Sequence, residues 1–306
     1  MHDSKAMIDS KDSLVRTPRD VYDAVVETQG VFFERLSGVD RHKQADDLLS
    51  EAKAHQQAGI LQRFASLEGA RLLEVGAGLA TNLIVWSKHY GSEVYGIEPD
   101  AVGFDASFKL GRRLLEENGL ERDRILNAVG EQLPFADETF DIVYSANVLE
   151  HTERPFDVLG EALRVLRPGG TLQFVFPNYR SYYDGHYGLF HPPVMWSGFF
   201  PWYVRWVWGR DPAFAKTLRT ELNVGWTVRA LRRLSQSHEF ELLGLGEDVF
   251  RERMVSLDFG TWASLGRVKR PLMLIAHWRA RALIASLIVG MRGWTPLILT
   301  LRKAAR

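Results

Sequence analysis

The sequence predicts an α/β protein with a mostly parallel β-sheet and helices on both of its faces. Two observations predict this fold class. Apolar segments of strand length alternate with helical segments over residues 71–176, and the first apolar segment ends in an acidic residue before a glycine-rich turn. Such alternation implies parallel strands joined by right-handed crossovers. With 306 residues, of which 46% are hydrophobic, the chain can bury the core that this sheet needs.

The apolar segments directly predict six of the strands, the last of them after a helix over residues 227–237. The six segments are residues 71–75, 93–97, 124–128, 141–146, 171–176 and 240–245. Ligands of open parallel sheets bind outside the carboxyl ends of the strands. Side chains that follow these strands are therefore the first candidates for function.

Residues 1–68 are predicted to form an N-terminal helical cap, which precedes the main domain over residues 69–306. The region is polar at first and then carries apolar side chains at helical spacing. These side chains are Leu48, Leu49, Ala52, Ile60, Leu61 and Phe64. Packing against the sheet is their expected role, in preference to contact with a substrate.

Residues 177–226 form an insertion that is too long for a simple loop and is rich in rings. Long insertions at the carboxyl end of a sheet are usually functional. The rings either build a small core of their own or form a contact surface. They are Tyr179, Tyr182, Tyr183, Tyr187, Phe190, Trp196, Phe199, Phe200, Trp202, Tyr203, Trp206 and Trp208.

Charge and composition exclude several functional classes. Lys and Arg number 38 and Asp and Glu also number 38, so no extensive basic surface for nucleic acid is expected. The absence of cysteine excludes disulfides, thiolate catalysis and cysteine-ligated zinc, and no metal site is predicted. The first ten residues are polar and lack the apolar core of a signal peptide, so a cytoplasmic location is expected.

The turn after the first strand carries the strongest functional signal. Glu74 ends the strand, and Gly76, Ala77 and Gly78 form a turn into a helix whose free backbone amides are expected to face a ligand. Glu98 ends the second strand about 20 residues later, where a carboxylate can accept both hydroxyls of a ribose. The pattern predicts a nucleoside site. It leaves the nucleoside open, because an NAD enzyme places an acid in the same way.

Four later segments narrow the choice of nucleoside. Together with the turn, they resemble the class I S-adenosylmethionine-dependent methyltransferases that act on small molecules. The segments are Leu133-Pro-Phe135, Phe140-Asp141, Leu149-Glu-His151 and Leu166-Arg-Pro-Gly-Gly170. The resemblance runs from about Leu72 to Phe176. It implies S-adenosylmethionine as cofactor and a Rossmann-like, seven-stranded sheet. Its last strand, within residues 295–303, would insert antiparallel beside the fifth.

The resemblance also implies which residues bind the cofactor. Glu74 would lie near the methionine amino end, Glu98 would hold the ribose, and residues 131–133 would lie against the adenine. Val129 stands where many members carry an aspartate for the adenine amine, so that contact is expected from backbone or from Glu131. The expected cofactor residues are Glu74, Gly76, Ala77, Gly78, Glu98, Pro99, Glu131, Gln132, Leu133 and Asn147.

Three histidines are candidate catalytic bases. Transfer of a sulfonium methyl needs mainly an aligned nucleophile and the exclusion of water. An alcohol acceptor also needs a base, and histidine has a suitable pKa. His186 and His191 follow the fifth strand, with Asp184 able to orient one of them, and His151 follows the fourth. Each histidine also fits a purely structural role.

The insertion and an apolar helix over residues 271–290 are expected to form a substrate lid. Arg279 and Arg281 near the middle of that helix would be costly in hydrocarbon, so a buried or interfacial helix is favoured over a membrane span. Trp202, Trp206 and Trp208 suit a membrane interface.

We therefore expect O-methylation of a small or lipid-linked hydroxylated acceptor, with peripheral contact to the inner face of a membrane as an option. N- or C-methylation is the alternative within the same reaction class. A non-catalytic binding or scaffold protein with the same fold is the alternative outside it. The oligomeric state is left open.

Overall fold

The computed structural model describes residues 13–100, 105–192, 198–258, 273 and 278–305. Trp196 and most of residues 271–277, in the predicted apolar helix, lie outside the described residues. Contacts divide the chain into two compact units. The first comprises residues 1–35 and 39–129, and the second comprises residues 36–38 and 130–306.

Helices fill the N-terminal region, as predicted. A π-helical turn at Val26–Gly30 joins the first two of them, and Asp40 and Ser50 cap the next two by accepting bonds from backbone amides. The helices up to residue 117 are α1 (Arg19–Val25), α2 (Val31–Ser37), α3 (Arg41–Leu48), α4 (Glu51–Leu61), α5 (Thr81–Tyr90) and α6 (Asp105–Glu117).

The buried face of α4 differs from the predicted one. Ala54, Ala58 and Leu61 are buried, whereas Ala52 is exposed. The indole of Trp86 in α5 is fully buried and donates a hydrogen bond of 3.0 Å to the Ala54 carbonyl. The contact with α5 therefore selects the face of α4 that is buried, and small alanines let the two helices approach closely.

The first unit contains three parallel strands, β1 (Arg71–Val75), β2 (Glu93–Ile97) and β3 (Ile125–Leu126). Val75 is paired with Ile97, and Ile97 with Leu126, so the strands end at the same edge of the sheet. The strand predicted over residues 124–128 is shorter than expected, because only two of its residues pair with β2.

The second unit contains the remaining strands and helices. The strands are β4 (Phe140–Ala146), β5 (Leu166–Phe176), β6 (Tyr183–Asp184), β7 (Leu189–Phe190), β8 (Phe240–Gly244) and β9 (Leu297–Lys303). The helices are α7 (Pro155–Val165), α8 (Phe199–Trp206), α9 (Val224–Leu234), α10 (Glu247–Ser256) and α11 (Trp278–Gly290).

The main sheet has seven strands in the order β3-β2-β1-β4-β5-β9-β8. β4 and β5 are parallel, whereas β9 is antiparallel to both β5 and β8. A buried hydrogen bond of 3.1 Å from the Gln173 amide to the Thr300 hydroxyl links β5 to β9. The predicted Rossmann-like sheet with an antiparallel last strand is therefore confirmed.

The rings of the insertion divide between the two roles expected for them. Tyr179, Tyr187 and Phe200 are fully buried, and the Tyr187 hydroxyl donates to the Asp211 carbonyl at 2.9 Å. Trp206, in contrast, is 72% exposed. The insertion has a core of its own and also presents rings to solvent.

The predicted apolar helix is present as α11 over its C-terminal part. Ala285 is buried in it, while Leu283 and Leu287 are exposed. Among the described residues, no helix combines the length and apolar character that crossing a bilayer requires.

Candidate active site

The glycine turn at the end of β1 is held against the end of β2. Gly76 and Gly78 have positive φ angles of 76° and 52°, which glycine adopts without steric cost. The amides of Gly76 and Ala77 both donate to the Ile97 carbonyl at 2.9 Å. The last carbonyl of β2 therefore lies beside the turn and accepts both of these amides, which precede the first turn of α5.

Glu98 is buried at the end of β2 and is fastened to the same turn. Its Oε2 accepts a hydrogen bond of 3.0 Å from the Gly78 amide. Burial raises the pKa of this carboxyl to about 7, against the opposing effect of the Gly78 amide. A carboxylate offers about four acceptor positions, so capacity is left for the hydroxyls of a ribose.

Glu74 is a second buried acid in the first unit. Its Oε1 accepts a bond of 2.6 Å from the Asn82 amide, and its Oε2 has no hydrogen-bond partner among the described residues. Burial raises the pKa of Glu74 to about 8; Asn82 acts against this rise and the charge of Glu98 adds to it. A buried oxygen of this kind suits a cationic donor such as a primary ammonium.

Sequence reasoning did not single out Asn82 or two glycines that support the turn. A Cβ on Gly96 would lie 2.7 Å from the Cβ of Ala77, and a Cβ on Gly111 would lie 2.5 Å from the Gly78 carbonyl oxygen. Both glycines therefore permit close packing against the turn. Their signal in the sequence was a glycine inside a strand and another inside a helix. We call Glu74, Gly76, Gly78, Asn82 and Glu98 the turn site.

The segment expected to lie against adenine belongs to the second unit and is already engaged there. Oε1 of Glu131 accepts bonds from the amides of Glu153 and Arg154 at 2.8 and 3.1 Å. The Leu133 amide donates to Glu161 at 2.8 Å. One oxygen of Glu131 therefore holds the two residues that precede α7. The other oxygen of Glu131 is left for the expected adenine contact.

Pro99 and Asn147 follow the ends of β2 and β4, whereas Gln132 lies in the connection between β3 and β4. Gln132 is exposed and Pro99 is half-buried. Asn147 follows β4 with a positive φ of 56°, and its amide donates to the Val175 carbonyl at 2.8 Å. Val129, where the family often has an aspartate, is 49% exposed.

Two of the three candidate histidines lie together in the second unit. His151 ends a short helical turn after β4, and His186 lies between β6 and β7. Their Nε2 atoms are 3.3 Å apart. Nδ1 of His186 lies 3.5 Å from Oδ1 of the buried Asp184, as expected for an orienting carboxylate. His191 directly follows β7, with its Nδ1 3.0 Å from the Pro192 carbonyl oxygen, and its charge contributes to the lowered pKa of Asp184.

Glu150 completes this group, and the sequence analysis missed it. Its carboxylate is fully buried, and its Oε1 lies 3.6 Å from Nε2 of His186 and 3.9 Å from Nε2 of His151. Its signal was an acid directly before His151 at the end of β4. We call Glu150, His151, Asp184 and His186 the histidine cluster.

Burial and charge set unlike protonation states within the histidine cluster. Burial raises the pKa of Glu150 to about 7, against the charge of His186, and lowers the pKa of His151 to about 3. Burial alone would lower the pKa of His186, but the bond to Asp184 and the charges of Asp184 and Glu150 raise it. His151 is therefore neutral near pH 7, and the cluster can share a proton among three adjacent groups.

Comparison with known proteins identifies the central part of the chain. Residues 73–174 match a family model described as a methyltransferase domain. An uncharacterized methyltransferase from Mycobacterium avium is 35% identical over 127 residues, which are 41% of this chain and 47% of that protein. A sarcosine/dimethylglycine N-methyltransferase from Aphanothece halophytica is 25% identical over 172 residues, 54% of this chain and 60% of that protein.

A solved structure shares the fold. It is phosphoethanolamine N-methyltransferase 2 from Haemonchus contortus in complex with S-adenosyl-L-methionine, with a TM-score of 0.52 and 15% identity. The match covers 94% of this chain and 60% of that one. The chain spans less than two thirds of the length of these curated relatives, between 47% and 60%.

The fold is that of a Rossmann-like α/β protein, and the turn site holds the acids that the sequence analysis expected at a nucleoside site. Residues 73–174 match a methyltransferase domain, which confirms the resemblance to the class I S-adenosylmethionine-dependent methyltransferases found in the sequence.

Proposed function

We propose that the protein is an S-adenosylmethionine-dependent methyltransferase that methylates a hydroxyl group. The turn site is the observation that carries this proposal. It combines Glu98, fixed by the Gly78 amide, with Glu74, whose Oε2 is buried without a hydrogen-bond partner in the described part of the chain. One acid is suited to ribose hydroxyls and the other to an ammonium, and both lie in the segment matched to a methyltransferase domain.

Each group of the chain has a distinct task in this proposal. Glu98 orients the ribose and Glu74 pairs with the amino group. The bound cofactor supplies a sulfonium methyl that is already activated for transfer. The acceptor oxygen would take the methyl group from the sulfonium, and the hydroxyl proton would pass to the histidine cluster. His151 is the more accessible ring, with 24% of its side chain exposed against 12% for His186.

N-methylation is the second candidate, because two of the similar proteins are named as N-methyltransferases. An amine that is neutral at the working pH attacks without a base. The dependence of turnover on pH and on the histidine cluster therefore separates the two acceptor types.

We also propose that the acceptor is lipid-linked and that the protein contacts the inner face of a membrane. Trp202, Trp206 and Trp208 are 51%, 72% and 42% exposed, and the exposed Arg205 lies among them. Amphipathic rings beside cationic side chains suit the headgroup region of an anionic bilayer. The exposed Leu283 and Leu287 of α11 add a second apolar row.

Vesicle co-sedimentation tests the membrane proposal. We expect binding to vesicles that contain phosphatidylserine and weaker binding to pure phosphatidylcholine. Replacing Trp202 and Trp206 by alanine should reduce binding several-fold, whereas the control Val129→Ser, at an exposed apolar residue of the first unit, should not. Equal sedimentation of both variants would contradict the proposal.

Calorimetry with S-adenosylhomocysteine, with NAD as the comparison ligand, tests the cofactor. We expect binding of the former only. Incubation of cell extracts with labelled S-adenosylmethionine, followed by mass spectrometry, then identifies the methylated product. Failure of folded protein to bind S-adenosylhomocysteine would overturn the proposed function. Binding without any transfer would favour the non-catalytic alternative.

A further inference from the structure

The histidine cluster has the geometry of a metal site, and we propose that it binds a divalent transition-metal cation. Three atoms carry the inference: Nε2 of His151, Nε2 of His186 and Oε1 of Glu150. They are separated by 3.3, 3.6 and 3.9 Å. Each atom is a common metal ligand, and the three lie close enough to one another to bind one cation.

The separations between the three atoms leave room for a cation at ordinary metal–ligand bond lengths. A point equidistant from the three atoms lies about 2.1 Å from each, within the range of zinc bonds to histidine nitrogen and to carboxylate oxygen. A cation can therefore be accommodated with little movement of the three side chains.

The surroundings of the three ligand atoms also favour a cation. Both oxygens of the fully buried Glu150 lack a hydrogen-bond partner among the described residues. A buried carboxylate in this position calls for a compensating positive charge. Oδ1 of Asp184 lies 3.5 Å from Nδ1 of His186, which is the carboxylate–histidine pairing that orients metal-binding imidazoles.

The ligand types indicate which cations fit. Two imidazole nitrogens and one carboxylate suit zinc, iron, cobalt, nickel or manganese, whereas calcium and magnesium prefer oxygen ligands throughout. The protein provides three ligands, so coordination positions are left for water or for an acceptor hydroxyl.

One consequence rests on the proposed function, while the binding itself does not. A cation at this point lowers the pKa of a coordinated hydroxyl group. The coordinated acceptor hydroxyl would then lose its proton to solvent water, and the two histidines would act as ligands in place of a base.

The same contacts also fit a metal-free network in which Glu150, His151 and His186 share a proton, so the experiment must separate the two. Full-length protein is treated with a chelator, dialysed, and titrated with Zn²⁺ by calorimetry and with Co²⁺ by visible absorption. We expect about one equivalent to bind, with a dissociation constant below about 1 µM for Zn²⁺ and with visible Co²⁺ bands of low coordination number.

Variants locate the site. His151→Ala and His186→Ala should each weaken Zn²⁺ binding at least about 100-fold, and Asp184→Asn should weaken it about 10- to 100-fold. His42→Ala, at an exposed histidine of the first unit, serves as the control and should bind normally at the cluster. Glu150→Gln keeps the shape of the side chain. The Glu150→Gln variant therefore tests the site even if an alanine variant unfolds, and circular dichroism shows which variants are folded.

Two results would overturn the proposal. One is the absence of stoichiometric binding by the wild-type protein, and the other is equal binding by the wild type and the folded cluster variants; either result assigns the cluster to proton sharing. Calorimetry with S-adenosylhomocysteine on the same samples keeps the two proposals apart. Metal binding without S-adenosylhomocysteine binding would support the cation site and reject the proposed function, and the opposite pattern would do the reverse.

Discussion

The turn site and the histidine cluster both bury carboxylates, but the chain assembles them in different ways. In the turn site, Glu74 is bonded to a residue 8 positions away, and Glu98 to one 20 positions away. In the histidine cluster, His186 contacts His151, which is 35 positions away in the sequence. His186 belongs to the insertion, which lies outside the regular strand–helix alternation. Local spacing predicts the first kind of site and does not predict the second.

The two sites also differ in how their acids are compensated. In the turn site, burial raises the pKa of both Glu74 and Glu98, and amide donors offset only part of that effect. In the histidine cluster, burial would raise the pKa of Asp184, but the adjacent His186 holds it below its ordinary value. The two carboxyl groups of the turn site therefore keep acceptor capacity for donors of a ligand. In the cluster, the charge of Asp184 is already compensated by His186.

The substitution Gly76→Val should have the largest effect and tests the turn site as a whole. A branched side chain at a φ of 76° strains the turn and enters the space that a ligand needs, so binding of S-adenosylhomocysteine should be abolished in calorimetry. Gly119→Val is the matched control, because Gly119 also has a φ of 76° and an added Cβ there meets no atom within 4 Å. Retained affinity in Gly76→Val would mean that the turn is only structural.

The substitutions His151→Ala and His186→Ala test the cluster and should spare the turn site. Whether the two rings act as bases or as metal ligands, each variant should lower turnover by roughly 10²–10⁴ while S-adenosylhomocysteine affinity changes only a few-fold. His238→Ala, in the second unit and outside the cluster, is the control. If turnover is normal in the cluster variants, the cluster is not needed to remove a proton from the acceptor, and an amine or carbon acceptor becomes the better proposal.

The substitution Glu98→Ala separates the ribose contact from the rest of the turn site. Loss of two charge-assisted hydrogen bonds, worth roughly 1.5–3 kcal/mol each before compensation, should weaken S-adenosylhomocysteine binding at least tenfold while the fold survives. Glu68→Ala, at an exposed acid of the same unit, should leave the dissociation constant unchanged. An unchanged constant in Glu98→Ala would remove the assignment of Glu98 to the ribose.

The pH dependence of cofactor affinity gives the smallest expected effect and sharpens the electrostatic comparison. Burial raises the pKa of Glu98 to about 7 and that of Glu74 to about 8. Both acids must be ionised to accept bonds from hydroxyl and ammonium donors, so binding favours proton release. S-adenosylhomocysteine affinity should therefore rise several-fold between about pH 6 and pH 8.

Glu98→Gln isolates the part of this dependence that belongs to one acid. Glutamine cannot ionise, so the rise in affinity should become shallower in this variant. A wild-type affinity that is constant over the same pH range would contradict the assignment of either raised pKa to cofactor binding.

The sequence by itself determined the fold and the positions of the two acids of the turn site. Apolar segments of period and length typical of buried strands predicted β1, β2, β4, β5 and β8 within a few residues. The positions of Glu74 and Glu98 followed as well, because side chains at the carboxyl ends of adjacent parallel strands meet at one edge. These features depend on contacts between neighbouring elements, whose geometry is nearly fixed by the backbone.

Only the tertiary structure decided which histidines lie together, and that Glu150 accompanies them. The sequence favoured His186 and His191, which follow the fifth strand, over His151, which follows the fourth. The hairpin of β6 and β7 brings His186 to His151, whereas Nδ1 of His191 lies against the Pro192 carbonyl. Glu150 could not be selected from the sequence for a related reason. Whether an acid is exposed or fully buried depends on which segments pack over it, and packing between distant segments leaves no periodic pattern in the sequence.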